Sequence, residues 1–134
     1  MARKYDFTQY RMNTDEAKAS PVLEHDYTPV DDDKDIVVHC THFRAGEKMG
    51  FASMRQDGTF SFDYRRIFER KVQGISGLKL TVTDAKTGKP KELEIKDAET
   101  LLSFPDFGIV SEIVTRTALH LISGDSLTEE EQGN

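Results

Sequence analysis

The chain has 134 residues, of which 37% are hydrophobic, and a net charge of −6; this suits one domain around one core and leaves no room for two ordinary domains. Its lone cysteine, Cys40, excludes an intramolecular disulfide and points to a reducing, cytoplasmic setting. No apolar run approaches the roughly 20 residues that span a bilayer, and the polar start Met1-Ala2-Arg3-Lys4-Tyr5-Asp6 lacks the apolar stretch of a secretory signal.

Residues 1–34 are polar, interrupted by Pro21 and Pro29, and end near the acidic run Asp31-Asp32-Asp33. Apolar residues occur singly there, too sparsely to offset the entropy of ordering, so a flexible N-terminal arm is expected. The carboxylates at 31–35 lack the glycine turn and distal Glu of a calcium loop and read as a solvated charge run. A single α+β domain is expected over 35–124, followed by an acidic C-terminal tail at 125–134.

Ile36-Val37-Val38-His39-Cys40-Thr41 is β-branched and apolar, and predicts a strand. Over 44–55, Phe43, Glu47, Phe51 and Met54 have near-helical spacing, although Gly46 and Gly50 each weaken a helix by roughly 1 kcal/mol. The helix is the reading adopted. The rival is a hairpin from Phe51 to Phe62 that turns at Asp57-Gly58. Residues 63–73 predict a helix with the stripe Tyr64, Ile67, Phe68, Val72; Ser61 or Asp63 can cap its start and Gly74 its end.

Leu78-Lys79-Leu80-Thr81-Val82-Thr83 alternates with period two, and Glu92-Leu93-Glu94-Ile95 does so again after the turn residues 86–90. This predicts a β-hairpin. Pro90 opens the second strand, where a missing N–H is tolerated. Asp97 caps a short helix through Leu102. Pro105 then suits the first turn of a last helix from about Asp106 to Ile122, striped by Val110, Val114, Ala118 and Leu121 and ended by Gly124. The expected fold is α+β: a small antiparallel sheet, built from the hairpin near 78–95 and the strand near 36–41, packed with three to four helices.

Chemistry is sparse. His39-Cys40-Thr41-His42 offers three metal-ligating side chains, but strand neighbours face opposite ways, and His25 and His120 are isolated in sequence. A thiol nucleophile at Cys40 lacks an oriented base and an oxyanion site. Asp84, Glu92 and Glu94 near the hairpin turn read as surface charges. No catalytic, cofactor or metal residues are assigned.

Charge is unevenly spread. Residues 1–35 carry 5 basic and 9 acidic groups, residues 44–75 carry 7 and 4, and residues 76–134 carry 6 and 11. Acidic ends argue against nucleic acid as the main partner. The patch Arg65, Arg66, Arg70 and Lys71, beside Tyr64 and Phe68, keeps a nucleic-acid-binding accessory as the alternative reading. The ending Ser126-Leu127-Thr128-Glu129-Glu130-Glu131 has capping-box spacing, so it reads either as a short helical turn or as a frayed acidic terminus.

The order of segments carries a resemblance. A strand leads to Arg44-Ala45-Gly46-Glu47, then to Asp63-Tyr64-Arg65-Arg66-Ile67-Phe68 and Val72-Gln73-Gly74-Ile75-Ser76-Gly77-Leu78. A hairpin, Asp97-Ala98-Glu99-Thr100-Leu101-Leu102, a last helix and Leu127-Thr128-Glu129-Glu130-Glu131 follow. Over roughly 35–134 this resembles the small tail-assembly chaperones of long-tailed phages and prophages, although Gln132-Gly133 replaces the family's usual Glu-Lys. The resemblance implies a non-enzymatic protein in the bacterial host cytoplasm that coats a tape-measure protein and brings tail-tube subunits to it. It directs attention to Tyr64, Phe68, Val110, Val114, Leu127, Glu129 and Glu130 as partner-binding residues. A tape-measure protein is a long helical chain with apolar stripes, so its chaperone needs a shallow apolar groove with a charged rim, here lined by the 63–73 and 106–122 helices.

Overall fold

The computed structural model describes residues 5, 6, 8, 11–13, 20–22 and 24–123. In chain order they form β1 (Arg11–Asn13), β2 (Ser20–Val22), β3 (Glu24–Tyr27) and β4 (Val37–Thr41). A 3₁₀ turn (Lys48–Phe51), β5 (Ala52–Met54), β6 (Phe60–Phe62) and α1 (Tyr64–Lys71) come next. The chain then runs through β7 (Val72–Ser76), β8 (Leu78–Thr83), β9 (Pro90–Ile95), α2 (Ala98–Leu102) and α3 (Gly108–Ile122). The fold is α+β, and all its strand pairs are antiparallel: β1 with β2, β5 with β6, β8 with β9, and the three-stranded sheet β3-β4-β7.

β4 is the centre of that sheet because its β-branched and apolar residues alternate in and out. Val38 and Cys40 are buried, while Val37, His39 and Thr41 lie half-buried on the other face. The sheet's inner face meets α1 and α3. Ile67 and Phe68 on α1, Leu101 on α2 and Ile113 and Ala118 on α3 are all 0% exposed. Ile75, Leu78 and Ile95 close the core from β7, β8 and β9. Gly77 joins β7 to β8 with φ +76, and a Cβ there would collide with the Asp35 carbonyl oxygen, so only glycine permits this close crossing.

The hairpin at 78–95 is present in register, with Leu78 opposite Ile95 and Thr83 opposite Pro90. Asp63 and Asp97 cap α1 and α2, accepting hydrogen bonds from the Arg66 and Thr100 backbone N–H groups.

Several expectations are corrected. The arm expected over 1–34 is already part of the sheet at β3, which pairs with β4 from Glu24↔Thr41 to Tyr27↔Val38. His25 and Tyr27 supply its inward face with ring surface, and Pro29 and Val30 are buried behind it. The Arg116 guanidinium fastens this stretch to α3, donating to the Pro29 carbonyl at 3.2 Å and to Asp31 Oδ2 at 3.1 Å.

The helix expected over 44–55 is replaced by the 3₁₀ turn and the β5–β6 hairpin, in which Ala52 faces Phe62 and Met54 faces Phe60. Gly46 has φ +78 and Gly58 has φ +87, conformations that suit turns and not helix interiors. The 63–73 helix stops at Lys71, because Val72 enters β7 directly; Gly74 is a strand residue, not a cap. The last helix begins at Gly108 and not at Asp106. Gly108 has φ +61, so the right-handed helix cannot extend back through it, and Pro105 lies in the preceding turn. Gly124 and the tail at 125–134 lie outside the described residues.

Candidate functional site

Tyr64 and Arg65 open α1, and Val110 and Val114 occupy the N-terminal half of α3. The two helices pack side by side, and the α2 end and the Phe104-to-Phe107 turn bridge them. A depression of about 140 Å³ lies in the angle, lined by Tyr64, Leu102, Phe104, Val110 and Val114, with Arg65 and Asp106 as charged members of its wall. Arg65 is held there by donating to the Leu102 carbonyl at 3.1 Å. Tyr64 is 36% exposed and Phe107, on the adjoining turn, is 72% exposed.

Three of the residues expected to bind a partner, Tyr64, Val110 and Val114, thus line one depression. Phe68 does not, being fully buried in the core; Val110 and Val114 are themselves 8% exposed, so most of their surface serves the α1–α3 contact. The helices therefore spend their apolar stripes mainly on each other, and the groove they leave is short. Leu127, Glu129 and Glu130 lie outside the described residues. Leu102 and Phe104 were not anticipated as lining residues; the signal was the apolar, proline-containing turn Phe104-Pro105-Asp106-Phe107.

The basic patch is not one surface. Lys71 is 7% exposed, paired with Glu47, and donates to the His42 carbonyl at 3.4 Å. Arg66 lies over the Phe51 ring at 5.2 Å. Burial works to raise the Glu47 carboxyl. The hydrogen bonds from Lys71 and from the Arg44 backbone N–H, with their charges, outweigh it and hold the group below its ordinary value.

Two histidine arrangements escaped the sequence reading. On the sheet's outer face His39 stands between Asp26 and Ser76. Its Nδ1 is 2.7 Å from Asp26 Oδ1 and its Nε2 is 2.8 Å from Ser76 Oγ. That is the atom order of an acyl-transfer triad. Here, however, the row lies open on a sheet face, with the His39 and Asp26 side chains 41% and 67% exposed. On the inner side His25 stacks on His42 at 4.0 Å, and Tyr27 stacks on His120 at the same distance. The Nε2 atoms of His25 and His120 lie 2.9 Å apart, so one nitrogen carries the hydrogen and the other accepts it. Stacked rings aim their in-plane lone pairs past one another. Among the described residues no group of three His, Cys, Asp or Glu side chains can hold a metal ion.

Cys40 faces the core, opposite to His39, as strand alternation requires. Burial pushes its thiol up to about 12, with Asp26 adding to the shift, so it stays protonated and poorly nucleophilic. Thr117 Oγ1, on α3, is buried with no hydrogen-bond partner among the described residues. No helix among the described residues is long and apolar enough to cross a membrane. Comparison with family models, with curated proteins and with solved structures gave no match.

Proposed function

We propose that this protein is a non-enzymatic assembly factor that binds another polypeptide, and specifically a tail-assembly chaperone of a long-tailed phage or prophage, acting in the host cytoplasm on a tape-measure protein and tail-tube subunits. The observation that carries the reading is the depression bounded by Tyr64, Phe104, Val110 and Val114. At about 140 Å³ it falls well below the roughly 300–1,000 Å³ of ordinary small-molecule sites. It suits one or two apolar side chains projecting from a helix, with Arg65 and Asp106 to select their polar neighbours. The exposed Phe107 widens the apolar contact beyond the depression.

Protein is a better fit than nucleic acid because the cations of the middle segment are dispersed. Lys71 is committed to Glu47, and Arg65 to a backbone carbonyl. The test is co-expression with a tape-measure protein encoded beside it. The wild-type chain is expected to raise that partner's soluble yield and co-purify with it, and Tyr64→Glu is expected to abolish both while keeping a native fold. An unchanged yield with the wild-type chain overturns the reading.

A further inference from the structure

Phe107 is 72% exposed, more than any other large apolar side chain among the described residues. It stands at the rim of the depression. Phe104 and Asp106 before it and Val110 after it all belong to the depression wall, while the Phe107 ring points to solvent and leaves the hollow open. The backbone holds the ring in place. The Phe107 N–H donates to the Pro105 carbonyl at 2.9 Å, and Gly108 follows with φ +61, a conformation closed to most side chains. A ring fixed in advance loses little freedom on docking.

Knob and hollow therefore lie side by side on one surface. Size matches: the depression holds about 140 Å³, and an apolar cavity of about 150 Å³ takes up a benzene ring. Its walls offer two aromatic rings, Tyr64 and Phe104, and the aliphatic Leu102, Val110 and Val114. Charge matches as well. The wall carries one cation, Arg65, and one anion, Asp106, and Asp106 precedes the ring in the chain. One of the five N–H donors of Arg65 goes to the Leu102 carbonyl, which leaves the guanidinium others for a carboxylate.

We propose that two copies of this chain pair about a twofold axis, each seating its Phe107 ring in the other's depression and setting its Asp106 against the other's Arg65. In an isologous interface residue i meets residue j and j meets i, so a patch bearing a knob beside a hollow and one charge of each sign complements itself. Each copy spends its knob and its hollow on the same neighbour, and association closes at two. The pairing also covers the depression until another polypeptide displaces the ring. That last consequence rests on the function proposed above; the pairing does not, and its test contains no tape-measure protein, so either can fail alone.

The test is sedimentation of the full chain over a dilution series. The wild-type chain is expected to pass from monomer to dimer as concentration rises. Phe107→Ala should raise the dissociation constant about tenfold or more, as loss of an aromatic anchor does, with its melting temperature kept because the side chain is exposed. Arg65→Asp sets like charges together and should be largely monomeric, and so should Asp106→Arg. An equimolar mixture of these two proteins should recover the dimer, because each then presents the charge that the other lacks. Three results overturn the proposal: a wild-type chain monomeric up to about 1 mM, where the association free energy falls to roughly −4 kcal/mol; a dimer as tight with Phe107→Ala as without it; or a mixture that associates no better than its components.

Discussion

Asp26 and His39 face each other across β3 and β4, and their 2.7 Å contact continues through His39 Nε2 to Ser76 on β7. One imidazole therefore bridges all three strands of the sheet. The row resembles a hydrolase triad in atom order only. It stands on an exposed sheet face, and its hydroxyl belongs to a regular strand and not to a sharp turn that would present it. Its work is to tie the two outer strands to the central one. His39→Ala and Ser76→Ala should each destabilise the fold by about 1 kcal/mol in urea titrations. Neither should alter the slow background reaction of the protein with an activated ester. A Ser76-dependent burst of ester cleavage would place the protein among the hydrolases and defeat the binding-protein reading.

Glu47 and Lys71 give the fold a specific acid sensitivity. Lys71 is nearly buried at the end of α1, and Glu47 meets it from the loop after β4. The Glu47 carboxyl lies below its ordinary value of 4.5, so its contribution to stability is complete above that value and drains away as pH falls through the lowered one. Glu47→Gln should cost about 2 kcal/mol at neutral pH, since it leaves the Lys71 ammonium without its counter-charge. The gap between variant and wild type should close as pH falls well below 4.5, where both lack the carboxylate. Denaturation midpoints measured across that range check both the sign and the window.

What the sequence disclosed tracks the length of its local patterns. The 78–95 hairpin and the capped starts at Asp63 and Asp97 were legible, because alternation and capping act over a few residues. β3 and β7 were not. Glu24-His25-Asp26-Tyr27 shows its inward face only once Tyr27 and His25 are set opposite Val38 and Cys40, a pairing across more than ten residues. Val72 belongs by pattern to the helical stripe of α1. Its place at the start of β7 follows from pairing with Cys40 after a register shift at His39, a tertiary effect overriding local period. The same two strands hold Asp26 and Ser76, so missing them hid the His39 row as well. Of the residues expected to bind a partner, Tyr64, Val110 and Val114 line one depression. Phe68 is lost to the core because α1 must bury one full face to dock on α3.

Cys40 should behave as an inert thiol. It sits at 1% exposure on the inner face of β4, and burial lifts it from an ordinary 9.0 to about 12. Ellman's reagent at neutral pH should leave the native protein unlabelled and react fully only in denaturant. The linkage has a definite sign. The folded value is raised, so the thiol's contribution is whole below 9.0 and is lost as pH climbs from there toward 12, where the unfolded chain sheds the proton first. Cys40→Ala should flatten that alkaline decline relative to wild type, while costing some stability at neutral pH through the lost packing.

Tyr64 and Phe68 lie one helical turn apart on α1 and should separate binding from folding. Phe68 is fully enclosed, so Phe68→Ala opens a cavity between α1, α3 and the sheet and should cost about 3–5 kcal/mol. Tyr64 is 36% exposed at the mouth of the depression, and Tyr64→Ala should cost under about 1 kcal/mol. If the depression is where a partner's apolar side chain lodges, Tyr64→Ala should weaken partner capture by about tenfold or more, in the range of an aromatic anchor. Thermal melting and pull-down of the two variants side by side decide it. Full capture by a well-folded Tyr64→Ala protein would move the contact surface elsewhere, since none of the other depression walls exposes as much ring surface to an incoming helix.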